Sequence, residues 1–162
     1  LFKLPIPMSS IYDGGPMITA GVVIARDPEY GINTGVYRFI VKEKNLTGID
    51  IVTPNNMRMF AQRAFEAGRP CPISISIGTH PMEVLGAGFR APIGVDEMGI
   101  AGGIRGCSVA LGQCKTIDMP YIADSEIVFI CNQLFFITDF IYSKLSFKIL
   151  NGPGPLSSIA AP

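Results

Sequence analysis

Gly31-Ile32-Asn33-Thr34-Gly35-Val36-Tyr37-Arg38 runs straight into the strand-like Phe39-Ile40-Val41. Asn33 and Gly35 read as a turn-rich segment. Val36 to Val41 reads as a strand, being rich in β-branched and aromatic residues. A neutral oxygen ligand and a fixed cation therefore stand at the mouth of one strand, with backbone N–H groups between them. Such an arrangement suits a phosphate and its metal ion. The plainer reading of the same residues is an Asn-Gly turn followed by a solvated strand arginine.

Outward from that stretch, strands outnumber helices. Met17 to Arg26 is β-branched and bounded by Gly15-Pro16 and Asp27-Pro28, which marks a buried strand. Leu46, Ile49 and Ile51 mark a third strand returning as a hairpin neighbour. Pro54-Asn55-Asn56 opens a helix whose apolar residues Met57, Phe60, Ala61, Ala64 and Phe65 recur at helical spacing, with Asn56 as its expected N-cap. Gly68 and Pro70 end it. Pro72 to Ile77 alternates Ile and Ser, the pattern of a half-buried strand. His80-Pro81 enters a short helix, and Asp96 to Ile104 forms another despite Gly99, Gly102 and Gly103. Short strands are expected around Val109, over Lys115 to Met119 and over Glu126 to Ile130. The sum is a mainly β (α+β) chain, a β-barrel with a few peripheral helices.

Composition narrows the function. Thirteen basic and thirteen acidic side chains give no net charge, which argues against nucleic acid and against an anionic membrane surface. The longest apolar stretch, Ile127 to Ile141, is interrupted by Asn132, Gln133, Thr138 and Asp139, so no membrane span is expected. No basic region precedes an apolar run at the N-terminus, and the cytoplasm is the expected compartment. Cys71, Cys107, Cys114 and Cys131 form no CxxC pair and read as buried free thiols. His80, the single histidine, reads as a helix-entry residue.

Asp13-Gly14-Gly15-Pro16 with Ile18-Thr19, then Asn33…Arg38, then Gly94-Val95-Asp96-Glu97, follow in an order and spacing that resemble the middle domain of the UbiD-type decarboxylases. Ile77-Gly78, Gly103…Arg105-Gly106, Cys114-Lys115-Thr116 and Ser125-Glu126-Ile127-Val128-Phe129 extend the similarity. The resemblance implies a split β-barrel of the flavin-binding type over residues 1–130. It implies prenylated FMN, Mn²⁺ or Mg²⁺, and K⁺ as cofactors. It also implies a small-molecule carboxylic acid, aromatic or α,β-unsaturated, as substrate of a non-oxidative carboxy-lyase, and a homo-oligomer. The family's metal-binding Asn, His and Glu fall on Asn33, Asn56 and Glu97. Gly35, Val36 and Tyr37 match the run that lines the flavin, and Asn55 joins the cofactor set. Arg38 matches the catalytic arginine, a bidentate fork suited to a carboxylate.

The sequence departs from the pattern near its end. Residues 131–162 form a divergent apolar tail whose Phe135, Phe136, Phe140, Ile141, Phe147, Ile149 and Leu150 require burial in added strands or a subunit contact. Counted from Glu126, the family's proton-handling carboxylates fall on Ile141 and Ser146, neither of them a carboxylic acid. Weak or absent turnover is the expectation. The alternative is a non-catalytic β-barrel module that binds flavin phosphate or a partner chain.

Overall fold

The computed structural model describes residues 1–51, 54–137 and 140–149. Its longest hairpin joins β1 (Met17–Asp27) to β2 (Gly31–Glu43), with Val22 opposite Val36 and Ala25 opposite Asn33. Asn33 and Gly35 thus lie inside a strand, which corrects the turn expected there. The turn sits upstream, at residues 28–30. The Asp27 carboxylate organises it by accepting from the backbone N–H groups of Glu29 (2.9 Å) and Tyr30 (3.3 Å). Gly31 completes it at φ 77°, a left-handed conformation that favours glycine.

The remaining elements are β3 (Leu46–Ile49), α1 (Asn56–Glu66), β4 (Ile73–Ile77), α2 (Pro81–Ala87), α3 (Glu97–Arg105), β5 (Leu111–Gln113), β6 (Pro120–Ile122), β7 (Ile127–Ile137) and β8 (Phe140–Ile149). Six strands close a barrel in the order β1-β2-β3-β8-β7-β4, antiparallel at every step. β5 and β6 form a separate hairpin. The mainly β barrel with a few helices is as the sequence reads. The Lys115 to Met119 strand is not. That segment is the loop between β5 and β6, closed by Cys114 N–H to Met119 C=O at 2.9 Å.

β1 shows how the core is divided. Val23 and Ala25 join Phe39, Ile49, Ile73, Ile75, Phe129 and Cys131 in one buried cluster drawn from five barrel strands. Side chains from so many strands of a closed barrel can meet only on its inside. The buried face of α1, with Met57, Phe60, Ala61 and Ala64, joins this cluster. Val22 and Ile24 point the other way, with Val128 and Ile130, into a second cluster containing Ala87, Met98, Ala101, Met119 and Ile122. That outer layer brings α2, α3 and the β5–β6 hairpin onto one face of the barrel. Gly21 lies where the β1–β2 register shifts, and a Cβ there would meet the Ile75 side chain at 2.8 Å.

The Ile-Ser alternation of β4 hides a second correction. Ser74 and Ser76 are fully buried rather than facing water. Ser74 Oγ donates to the Pro120 carbonyl at 2.5 Å, and Ser76 Oγ accepts from the Ile122 N–H at 3.2 Å. The serines dock the second hairpin. Hydroxyls are the side chains that can be buried there with their hydrogen bonds made.

Helices α1 and α2 each begin at a side-chain cap. Asn55, not Asn56, caps α1, its Oδ1 accepting from Arg58 N–H at 2.9 Å. His80 caps α2: its Nδ1 accepts from Met82 N–H at 3.2 Å, while Glu83 accepts from the His80 N–H at 3.0 Å. Glu83 is buried and also accepts from Arg105 Nη1 at 2.8 Å, tying α2 to α3. The helices touch closely, since a Cβ on Gly86 would lie 2.5 Å from that of Ala101.

β7 runs through the boundary expected at residue 130, and β8 closes the barrel between β7 and β3. The side chains expected to need burial from Phe135 onward, Leu150, and the rest of the tail to residue 162 lie outside the described residues. Cys71, Cys114 and Cys131 are buried, whereas Cys107 is exposed, against expectation. No helix among the described residues is long and apolar enough to cross a membrane.

Candidate functional site

One cleft of about 420 Å³ gathers four pieces of the chain. β2 contributes Asn33 to Tyr37. The segment entering α1 contributes Pro54, Asn55 and Asn56. The end of α2 and the loop leaving it contribute residues 87–91, and α3 contributes its first residue, Glu97. Asn33, Gly35, Val36, Tyr37, Asn55, Asn56 and Glu97, all singled out from sequence, therefore line the same space. Arg38 does not. Its guanidinium is engaged by the Asp50 carboxylate, and its side chain is 61% exposed.

Local geometry explains the convergence. Asp96 caps α3, accepting from Met98 N–H at 2.9 Å, which sets Glu97 on the first turn of the helix and turns it toward β2. Glu97 Oε2 accepts from the Thr34 N–H at 2.8 Å, so the acid is fastened to the strand that carries Asn33. Burial pushes the Glu97 carboxyl above its ordinary range, and the Asp96 charge adds to this. The N–H groups of Thr34 and Glu97 itself pull the other way. Tyr37 is pushed up to about 12, first by burial and further by Glu97, against a hydrogen bond from the Asn33 side chain. The phenol is therefore a neutral wall of the cleft near pH 7.

Gly35 has a steric task. A Cβ there would lie 2.6 Å from the Tyr37 ring, which folds back over the glycine. Asn56, released from capping, donates weakly from its amide to the Ala91 carbonyl at 3.4 Å. That bond ties the amide to the loop that leaves α2. Thr34 Oγ1 is buried beside this site with no hydrogen-bond partner.

The donor set is two amide oxygens and one carboxylate, all hard ligands of the kind Mg²⁺ and Mn²⁺ take. Among the described residues, no three His, Cys, Asp or Glu side chains come together to hold a metal. The amides would have to complete any ion site, and Asn33, Asn56 and Glu97 fit that requirement in chemistry. Sequence reading missed Thr34 and the 87–91 loop. The available signal for the loop was Gly86-Ala87-Gly88, small residues where two elements approach closely.

Residues 1–131 match the UbiD family, through its 3-octaprenyl-4-hydroxybenzoate carboxy-lyase Rift-related domain. The chain belongs to the UbiD family. Anhydromevalonate phosphate decarboxylase of Methanothermobacter thermautotrophicus is 36% identical over 129 residues, which make up 79% of this chain and 30% of that protein. Gallate decarboxylase of Lactiplantibacillus plantarum is 34% identical over 125 residues, 74% of this chain and 26% of that one. The UbiD-class enzyme HmfF from Pelotomaculum thermopropionicum, solved with prenylated FMN in an evolved dimeric form, superposes with a TM-score of 0.81 at 31% identity. That superposition covers 91% of this chain and 39% of HmfF. HmfF has also been solved with FMN. This UbiD family chain thus spans less than a third of the length of either decarboxylase.

Proposed function

We propose that this barrel holds the phosphate end of prenylated FMN through a divalent ion, as the flavin-binding part of a carboxy-lyase for aromatic or α,β-unsaturated carboxylic acids. The observation that carries the reading is the cleft itself. Asn33, Asn56 and Glu97 all line it, drawn from three separate elements, beside the loop that leaves α2. Family membership and the likeness to HmfF support a flavin as the ligand.

When bound, prenylated FMN supplies the electron sink that makes loss of CO₂ from such acids accessible. The residues of the chain act around it. Glu97, held by the Thr34 N–H, would hold the ion through its carboxylate. Asn33 and Asn56 add neutral oxygens, so the ion keeps positive charge for a phosphate. Tyr37 over Gly35 gives the cleft a rigid neutral wall. K⁺ would draw on the same oxygen-only surroundings. A homo-oligomer in the cytoplasm completes the proposal.

Two features favour the second reading, a module that binds flavin phosphate without turnover. Arg38 is engaged by Asp50 outside the cleft. Ile141 and Ser146 stand where the resemblance places carboxylates, and their side chains lie outside the described residues. Both readings share one test. Titration of the purified chain with FMN, followed by quenching of flavin fluorescence, is expected to show binding strengthened by Mn²⁺. Asn33→Ala and Glu97→Gln should each weaken the Mn²⁺-dependent part by on the order of 10- to 100-fold, as loss of a metal-site partner does. Binding indifferent to Mn²⁺ and to both substitutions would count against the site.

A further inference from the structure

Among the described residues that line the cleft, Glu97 is the one acidic side chain and Arg90 the one cation. Arg90 lies in the loop between α2 and α3, exposed at the rim. Arg26, Arg38, Arg63 and Arg105 are each committed to a carboxylate. Among the described residues Arg90 has no ion-pair partner, although it lines the same cleft as Glu97. A guanidinium left unpaired at the mouth of a concave polar site is positioned for an anion that arrives with the ligand.

Charge arithmetic says which anion. A phosphate monoester carries close to two negative charges near neutral pH. With Glu97 and one divalent cation, the assembly is left with about one negative charge before any monovalent ion is counted. Arg90 supplies a matching positive charge from within the same cleft. The flexible arm and planar fork of arginine suit two phosphate oxygens, whereas the ring system of a flavin offers no such anionic pair. The neighbouring Phe89, which also lines the cleft, is 57% exposed, so an apolar surface stands beside the guanidinium.

We infer that Arg90 is a ligand-binding residue of this cleft and clamps the phosphate of the bound flavin from the rim. The inference rests on the reading of the cleft as a flavin-phosphate site and adds to it a residue outside the expected set. It separates the two arginines: Arg38 is held by Asp50, while Arg90 faces the phosphate.

The test compares FMN with riboflavin, which lacks the phosphate, on the purified chain with Mn²⁺ present. Arg90→Ala should weaken FMN binding by on the order of 10- to 100-fold, the scale of a charge-assisted bidentate contact. Riboflavin affinity should not change, and Arg90→Lys should restore part of the loss. Added salt should weaken FMN binding to the wild-type chain more than to Arg90→Ala. Inorganic phosphate should compete with FMN on the wild-type chain and lose that ability in the variant. Unchanged FMN affinity in Arg90→Ala overturns the inference while leaving the flavin site standing. Equal losses for FMN and riboflavin overturn it too, by showing that the guanidinium acts on the ring or the fold. If the wild-type chain binds no FMN at all, both the inference and the reading beneath it fall.

Discussion

Thr34 carries the single buried side-chain polar atom without a hydrogen-bond partner among the described residues, at 2% exposure. Its backbone N–H is well used, on Glu97, so the cost lies in the hydroxyl alone. Replacing an unpaired buried hydroxyl by a methyl of similar shape removes a desolvation penalty of about 1–3 kcal/mol. Thr34→Val is therefore expected to raise the melting temperature, by about 2–4 °C for each kcal/mol regained in a chain of this size. A lowered melting temperature would show that the hydroxyl has a partner. At this scale the sequence was legible where chemistry selects the residue type. Asn33, Asn56 and Glu97 are hard oxygen donors whatever fold carries them. Arg90 gave no such signal, because an exposed loop arginine looks like any solvated one. Gly35, expected to line the flavin, lines the cleft, and the ring that excludes a Cβ there belongs to Tyr37.

Among the elements, α1 is anchored to the β1–β2 turn by charge. Arg63 Nε donates to Asp27 Oδ2 at 3.2 Å, and its Nη2 donates to Glu29 at 2.5 Å, with the guanidinium 5.0 Å from the centre of the Tyr30 ring. Burial alone would raise the Asp27 carboxyl. The Glu29 N–H, the Arg63 side chain and the Tyr30 N–H outweigh it and hold the carboxyl below its ordinary 3.8. A carboxyl lowered by folding contributes stability above its unfolded value and loses that contribution as pH falls through its folded one. The melting temperature should therefore drop as pH falls below 3.8, and Asp27→Asn should flatten that acid limb. Superimposable acid limbs for the two proteins would refute the assignment. Helix α1 was readable from its apolar spacing, but its cap was misplaced by one residue, because Asn55 and Asn56 are equally good caps in isolation. β4 misled for a related reason. Alternating Ser signals a wet face unless another hairpin covers it, and that cover comes from Pro120 and Ile122, far along the chain.

For the molecule as a whole, many short strands with few helices pointed to a barrel, and six strands close one. The closing partner of β3 was hidden in the Phe- and Ile-rich stretch after residue 130. No steady period is visible there, because β7 shifts register between Cys131 and Leu134. Turnover would ask for more than a closed barrel and a cleft. Exchanging a carboxylate for hydrogen needs a proton from a positioned acid. The positions that the resemblance assigns to that task carry Ile141 and Ser146. An aliphatic side chain has no proton to give, and an alkyl hydroxyl is too weak an acid near neutral pH. Asp139, two positions from Ile141, lies outside the described residues. The purified chain, given prenylated FMN and Mn²⁺, is accordingly expected to bind flavin yet release no CO₂ from a panel of cinnamic and hydroxybenzoic acids. Hydrogen exchange at the scissile carbon should likewise stay at background. Steady turnover that disappears in Arg38→Ala would reverse the conclusion, since it would require Arg38 to leave Asp50 for the substrate and another side chain to serve as the acid.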